Sequence, residues 1–316
     1  MYYLGIDLGG TNIAAGIVDE QANIIGRAKT KTNLPRPSEE IVDDVAKTAL
    51  AAVADAKLGM DDIAWVGLGS PGTVNRETGI IEFANNMKFD MLHVSDMLRK
   101  HLNKDIYIEN DANAAAYGEF VAGAAKGTDS AVIITLGTGV GGGVIINGKL
   151  LSGSNYAGAE LGHIVIMCDG FPCNCGRGGC WEAYASASAL IRQTKEAMEH
   201  DKKSKMWSIS DGDLSKVSGR TAFDAMRQGD ESAKRVVDKY IRYIACGLVD
   251  VINIFQPDKL CIGGGICNEG DTLLVPLREY IEKERYSKHS QKQTELCTAK
   301  LGNDAGIIGA AFLGRL

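Results

Sequence analysis

Between Gly158 and Glu182 the chain gathers Glu160 and His163 in the run GAELGH, Cys173, Cys175 and Cys180 in CNCGRGGC, and then Glu182. One histidine and three cysteines fill all four positions of a tetrahedral zinc site and leave none for a reactive water, so such an ion would be structural. Zinc-finger peptides set the scale of such a site at about 10 to 16 kcal/mol, enough to give a glycine-rich loop one conformation. The other reading of the same spacing is a set of reactive thiols. Zinc has no use for Glu160 and Glu182. Together with His163 they offer acceptors and a donor suited to a ring of hydroxyls, the plainer alternative being surface carboxylates. A metal on one ring nitrogen of His163 would fix its tautomer and aim the other nitrogen.

A second chemistry lies in the glycine runs. Asp7 is followed by LGGTN, where Gly9 and Gly10 let backbone amides approach an anion, Thr11 can donate to a phosphate oxygen and Asp7 can hold Mg²⁺ through water. Gly137, Thr138 and Gly139 repeat the arrangement, and Gly263, Gly264 and Gly265 form a third cluster. Taken singly, each is equally a tight hairpin turn. None matches a dinucleotide or P-loop fingerprint, and three in this order imply a nucleotide held between two domains. In DIYIENDAN, Asp111 sits where a strand gives way to an Ala-rich helix. It is either a helix N-cap or a carboxylate at a strand's C-terminal edge, placed to accept a hydroxyl proton. Phosphoryl transfer suits such a weak base, because the base mainly orients the nucleophile.

These residues need strands to carry them. Apolar runs at Tyr2–Leu8, Ile13–Val18, Ala64–Leu68 and Ile106–Ile108 predict strands, and Ser38 as N-cap with Ile41, Val42, Val45, Ala46, Ala49 and Leu50 predicts a helix. The pattern restarts at Val132–Leu136, which runs into GTGVGGG, and returns over Val144–Ile146 to an Asn147-Gly148 turn. Two hairpins bent around glycine turns predict an internal duplication of one α/β unit. From Ala183 the chain reads as mainly helical: Ala183–Met198, Thr221–Arg227 and Glu231–Phe255, then a strand at Lys259–Ile262 and a closing helix from Ala305.

Composition sets the outer limits. The 316 residues are 45% hydrophobic and 23% charged, ordinary for a globular protein of two domains. A net charge of −6 argues against a nucleic-acid surface. No apolar run approaches the roughly 20 residues that span a bilayer, and the start MYYLGIDLGG lacks a signal-peptide pattern, so a cytoplasmic protein is expected. The five cysteines outside the cluster read as inert core thiols.

Taken together the chain resembles the ROK family (repressors, open reading frames and sugar kinases) of the actin-like ATPase superfamily. The resemblance runs end to end, on DLGGTN at 7–12, SPG at 70–72, ENDAN at 109–113, LGTGVGGG at 136–143, GAELGH at 158–163, CNCGRGGCWEAYAS at 173–186 and GGGI at 263–266. It implies two actin-like (ribonuclease H-like) α/β domains with a cleft between them. Residues 1–115 would form the smaller domain, completed by 305–316, and 116–304 the larger, with the zinc loop. Asp111 is then the catalytic base, and Asn86, Asn110, Asp111, Glu160, His163 and Glu182 contact a sugar. ATP with Mg²⁺ falls to Asp7, Gly9, Gly10, Thr11, Asn12, Gly137, Thr138, Gly139, Gly264 and Gly265, and structural zinc to His163, Cys173, Cys175 and Cys180. Before Asn86 the family usually has Pro, where this chain has Asn85. The GAELGH box and CWEAYASASAL look most like members that phosphorylate glucose at its 6-hydroxyl. The same chemistry on N-acetylmannosamine, mannose or allose is the alternative, and a non-catalytic sugar-responsive regulator a more distant one. Repressor members add an N-terminal helix-turn-helix, for which a chain beginning at its first strand leaves no room. The resemblance also implies a homodimer, and the donor stays open between ATP and polyphosphate.

Overall fold

The computed structural model describes residues 1–316 and divides into two compact units, Met1–Ile133 with Gly143–Ala159 and Ala299–Leu316, and Ile134–Gly142 with Glu160–Thr298. The first unit thus runs past residue 115, takes in all of the helix after Asp111 and reclaims a later segment. No helix is long and apolar enough to cross a membrane.

The first unit opens with β1 (Tyr2–Leu8), β2 (Asn12–Asp19) and β3 (Ile24–Lys31), then α1 (Ser38–Asp55), β4 (Ile63–Ser70), β5 (Thr73–Asn75), β6 (Ile80–Ala84), β7 (Phe89–Leu92), α2 (Val94–Leu102), β8 (Ile106–Asn110) and α3 (Asp111–Val121). The main sheet has the order β3-β2-β1-β4-β8, and β5-β6-β7 form a small sheet of their own. β1 pairs antiparallel with β2 but parallel with β4, which pairs parallel with β8. The ends of β1 and β8, and with them Asp7 and Asp111, therefore lie along one edge. The α1 stripe packs on the sheet through Ile41, Val42, Val45, Ala46 and Ala49, each at most 2% exposed. Leu50, expected on that stripe, is 42% exposed, and Pro37 rather than Ser38 stands at the N-cap.

The chain continues through β9 (Ala131–Leu136), β10 (Val140–Ile146) and β11 (Lys149–Leu150), then α4 (Glu182–Ala185), α5 (Ala187–His200), α6 (Met206–Ile209), α7 (Thr221–Arg227), α8 (Glu231–Phe255), β12 (Lys259–Gly263), α9 (Asp271–Glu284), β13 (Glu295–Thr298) and α10 (Ala305–Phe312). The second large sheet has the order β11-β10-β9-β12-β13, so both five-stranded sheets place their strands as third, second, first, fourth, fifth. This shared order is the architectural form of the duplication read from the two glycine hairpins.

Within the second unit, the helix expected over Ala183–Met198 breaks at Ser186, whose extended backbone turns the chain while its hydroxyl accepts the Ala189 N–H at 3.1 Å and restarts the helix as α5. In α8 the Asp230 carboxylate accepts Ala233 N–H at 2.7 Å. In the first unit α10 lies on β1 and β4, with Trp65 Nε1 donating to Ala311 O at 2.8 Å. A Cβ on Gly5 would stand 1.9 Å from Ile307 O and one on Gly67 1.7 Å from Ala310 O, so these strand glycines set how close the helix comes.

Candidate active site and metal centre

Asp7 ends β1, and the turn after it is closed by Gly9 N–H donating to Asn12 O at 2.9 Å. The fully buried Thr32 braces that turn, its hydroxyl donating to Gly9 O at 2.7 Å and its amide to Thr11 O at 3.0 Å. Gly10 has open space where a Cβ would stand, so the first glycine loop presents bare backbone. The Asp7 carboxylate packs against Gly306 at the start of α10, where a Cβ would come within 2.7 Å of Asp7 Oδ2. Burial pushes the Asp7 carboxyl up to about 6, and the charge of Asp111 adds to the rise.

At the junction of β8 and α3, Asp111 is not the helix N-cap. Asn110 is the N-cap, its Oδ1 accepting Ala112 N–H at 2.9 Å and Asn113 N–H at 3.2 Å while its Nδ2 donates to Gly72 O at 3.1 Å. Asp111 is the first helical residue, and its Oδ1 also accepts Ala112 N–H, at 2.8 Å. With capping done by its neighbour, the Asp111 carboxylate keeps acceptor capacity for a substrate. Burial raises its pKa, and the Ala112 amide opposes the rise. Asn86 is exposed, in the turn Asn85–Met87 that follows β6.

In the second unit, Gly137 N–H donates to Gly139 O at 3.0 Å, and β10 begins at Val140, so Gly141–Gly143 are strand rather than turn. The third cluster lies beside this one, since a Cβ on Gly264, which has φ +100°, would meet Leu136 O at 2.1 Å. Glu182 reaches the same loop: its Oε2 accepts Val140 N–H at 2.9 Å, and its Oε1 lies 3.6 Å from Cys173 Sγ. Glu160 is exposed and precedes a short turn, Leu161–His163, in which His163 N–H donates to Glu160 O at 3.0 Å.

His163, Cys173, Cys175 and Cys180 converge, with all four ligand atoms within 4.8 Å of one another. Cys175 Sγ and Cys180 Sγ are 3.6 Å apart, and Cys173 Sγ is 3.7 Å from His163 Nδ1. A zinc–sulfur bond near 2.3 Å gives a tetrahedron edge of about 3.8 Å, so the donor set fits zinc. Against reactive thiols, burial pushes Cys173 up to about 12 and raises Cys180 as well, although the Arg177 amide lowers Cys175. The loop's end is anchored by buried Trp181, whose Nε1 donates to Tyr243 O at 2.9 Å in α8.

A sequence profile of the ROK family matches residues 3–315. The chain belongs to the ROK family. It is 38% identical over 314 residues to the glucokinase of Streptomyces coelicolor, covering 99% of this chain and 97% of that protein. With the glucokinase of Thermotoga maritima it shares 39% identity over 312 residues, 98% of this chain and 96% of the relative. Among solved structures, a ROK family glucokinase from Streptomyces griseus in complex with glucose and AMPPNP superposes with a TM-score of 0.82 at 35% identity, covering 100% and 99% of the two chains. The α/β, actin-like class expected from the sequence is the fold of this ROK protein. Thr32 and Gly306, which shape the first loop of the ROK site, lie outside every motif; no sequence signal singles them out, since their contacts span tens to hundreds of residues.

Proposed function

We propose that this ROK chain is an ATP-dependent glucose kinase acting at the 6-hydroxyl, with Asp111 as the base. The observation that carries the reading is the Asp111 carboxylate itself. It is recessed at the start of α3, has its capping duty taken by Asn110, and stands in a chain 38% and 39% identical, over nearly its full length, to two glucokinases. The sugar O6–H proton passes to Asp111, O6 bonds to the γ-phosphorus, and the bond from that phosphorus to the β-phosphate oxygen breaks to release ADP. Because the transition state is loose, most of the rate must come from positioning and charge stabilisation. The backbone of Gly9–Asn12, Gly137–Gly139 and Gly264–Gly265 is suited to phosphate oxygens. Asp7 and Asp111, two buried carboxylates with the Asp111 charge adding to the cost of ionising Asp7, suit a site that takes Mg²⁺, which supplies neutralising charge when bound. Asn86, Asn110, Glu160, His163 and Glu182 are proposed as the sugar's hydrogen-bonding partners, and a homodimer as the working form.

An ADP-release assay over a hexose panel tests this. Glucose should exceed N-acetylmannosamine, mannose and allose in kcat/KM by at least about tenfold with ATP. Equal or better turnover of N-acetylmannosamine would give the site to that sugar instead, and polyphosphate in place of ATP tests the donor in the same format.

With Nδ1 of His163 turned to the cluster, its Nε2 is left for a sugar hydroxyl, so zinc would brace a substrate contact. Cys175→Ser should lower the melting temperature and weaken glucose binding by about tenfold together, read by thermal melts, metal content and calorimetry. Cys175 is exposed, so the change opens no cavity. Unchanged glucose affinity in protein shown to be zinc-free would separate the metal from the sugar site.

A further inference from the structure

We infer that Glu109 is the positioning residue for Asp111, holding the base in place from behind; the inference rests on the kinase reading above. Glu109 is the penultimate residue of β8 and only 1% exposed, a carboxylate buried where burial disfavours charge unless it is hydrogen-bonded. Its Oε1 accepts two bonds, from Asn110 N–H at 2.9 Å and from Asn113 Nδ2 at 3.1 Å. Its Oε2 accepts from Ser152 Oγ at 3.4 Å and lies 3.8 Å from Arg76 Nη1. One oxygen therefore grips the residue before the base and the residue two after it. Asp111 lies between those points with its own carboxylate left for the substrate.

The same contacts explain why a hydrogen-bond acceptor stands here. A single apolar side chain could fill the space but would leave the Asn110 amide and the Asn113 side chain without this partner, and buried donors without partners are costly. Asn110 in turn sets the first turn of α3 through its cap, so a shift at Glu109 reaches Asp111 through both backbone neighbours. Glu109 touches neither sugar nor nucleotide in this role; it acts through Asn110 and Asn113. Glutamine can reproduce the grip on α3, since its Oε1 accepts the same two bonds and its Nε2 can meet the Ser152 hydroxyl oxygen; it gives up only the 3.8 Å contact with the exposed Arg76.

The test compares Glu109→Ala with Glu109→Gln, each measured per folded molecule, and uses Val45→Ala in α1 as a destabilised control remote from the base. Glu109→Ala should lower kcat by about 10²-fold, the scale of a misplacement near 1 Å, with KM for glucose and ATP within about threefold of wild type. Glu109→Gln should recover most of that kcat, and Val45→Ala should keep it. Independently of turnover, hydrogen exchange at the Ala112 and Asn113 amides should quicken in Glu109→Ala and return in Glu109→Gln. Wild-type kcat and unchanged exchange in Glu109→Ala, or a Glu109→Gln as slow as Glu109→Ala, would overturn the inference. A wild-type protein inactive on every hexose would instead overturn the kinase reading, and the exchange experiment would still decide whether Glu109 holds the α3 terminus.

Discussion

Asp111→Asn should lower glucose phosphorylation by about 10³-fold while glucose binds within a few-fold of wild-type affinity. The amide is nearly isosteric and its Oδ1 can still accept the Ala112 N–H, so the start of α3 stays in place under the Asn110 cap. What it lacks is the ability to take a proton. Burial raises the Asp111 pKa, and a base works only when ionised, so wild-type kcat should fall with decreasing pH through a point above the usual carboxylate range. The residual turnover of Asp111→Asn should keep only the acid limb set by Asp7, moved to lower pH because the Asp111 charge that helps raise Asp7 is gone. Stopped assays at high enzyme concentration, alongside calorimetric glucose titrations, read both quantities. Turnover near wild type would place the base elsewhere and leave Asp111 a structural first residue of α3.

The parts of this fold that were legible in the sequence are those in which a local signal and a tertiary need coincide. α7 and α8 begin and end at the expected residues because Asp230 caps α8 and the chain leaves helix before Pro257. β5 to β7 went unread because they are three to five residues long and Thr73–Asn75 buries only Val74. α9 is masked by Pro276, the sixth residue of the helix, which has no N–H to donate to the preceding turn and so reads as a helix breaker. Gly141–Gly143 read as a continuing turn yet form strand, and the glycine at 143 answers to packing, since Ala116 of α3 stands 2.4 Å from where its Cβ would be. The convergence of His163, Cys173, Cys175 and Cys180 was legible from spacing because the three cysteines crowd into eight positions. Glu109 was visible only as a letter inside ENDAN: its burial and its bonds to Ser152 and Arg76 depend on segments 43 and 33 residues away. The extent of the first unit escaped for the same reason, since its membership is set by packing of Gly143–Ala159 and α10 rather than by composition.

Asp7→Asn should make the protein more stable and nearly inactive at once. Asp7 is pushed from 3.8 up to about 6 by burial and by the Asp111 charge. Between those two pH values the folded state holds a proton that the unfolded chain has released, so this group's contribution to stability falls as pH rises through the window. Above pH 6 the whole penalty applies, and a rise of roughly two units corresponds to about 3 kcal/mol. Asparagine carries no charge to desolvate, so Asp7→Asn should gain up to about 3 kcal/mol over wild type at pH 8, with the gain shrinking as the pH is lowered toward 4. Its kcat/KM should nonetheless fall by about 10²- to 10³-fold, the scale for removing one electrostatic element of a transition-state site. Urea denaturation at pH 8 and pH 5, paired with the ADP-release assay, reads both effects. A variant less stable than wild type at pH 8 would mean that Asp7 makes a net stabilising contact, with Gly306 and the start of α10 as the place to look for it. The opposite signs of the two effects are what distinguish a carboxylate kept for its charge from one kept for its packing: a structural Asp would lose stability with its function, whereas a catalytic one is tolerated in the fold at a free-energy cost.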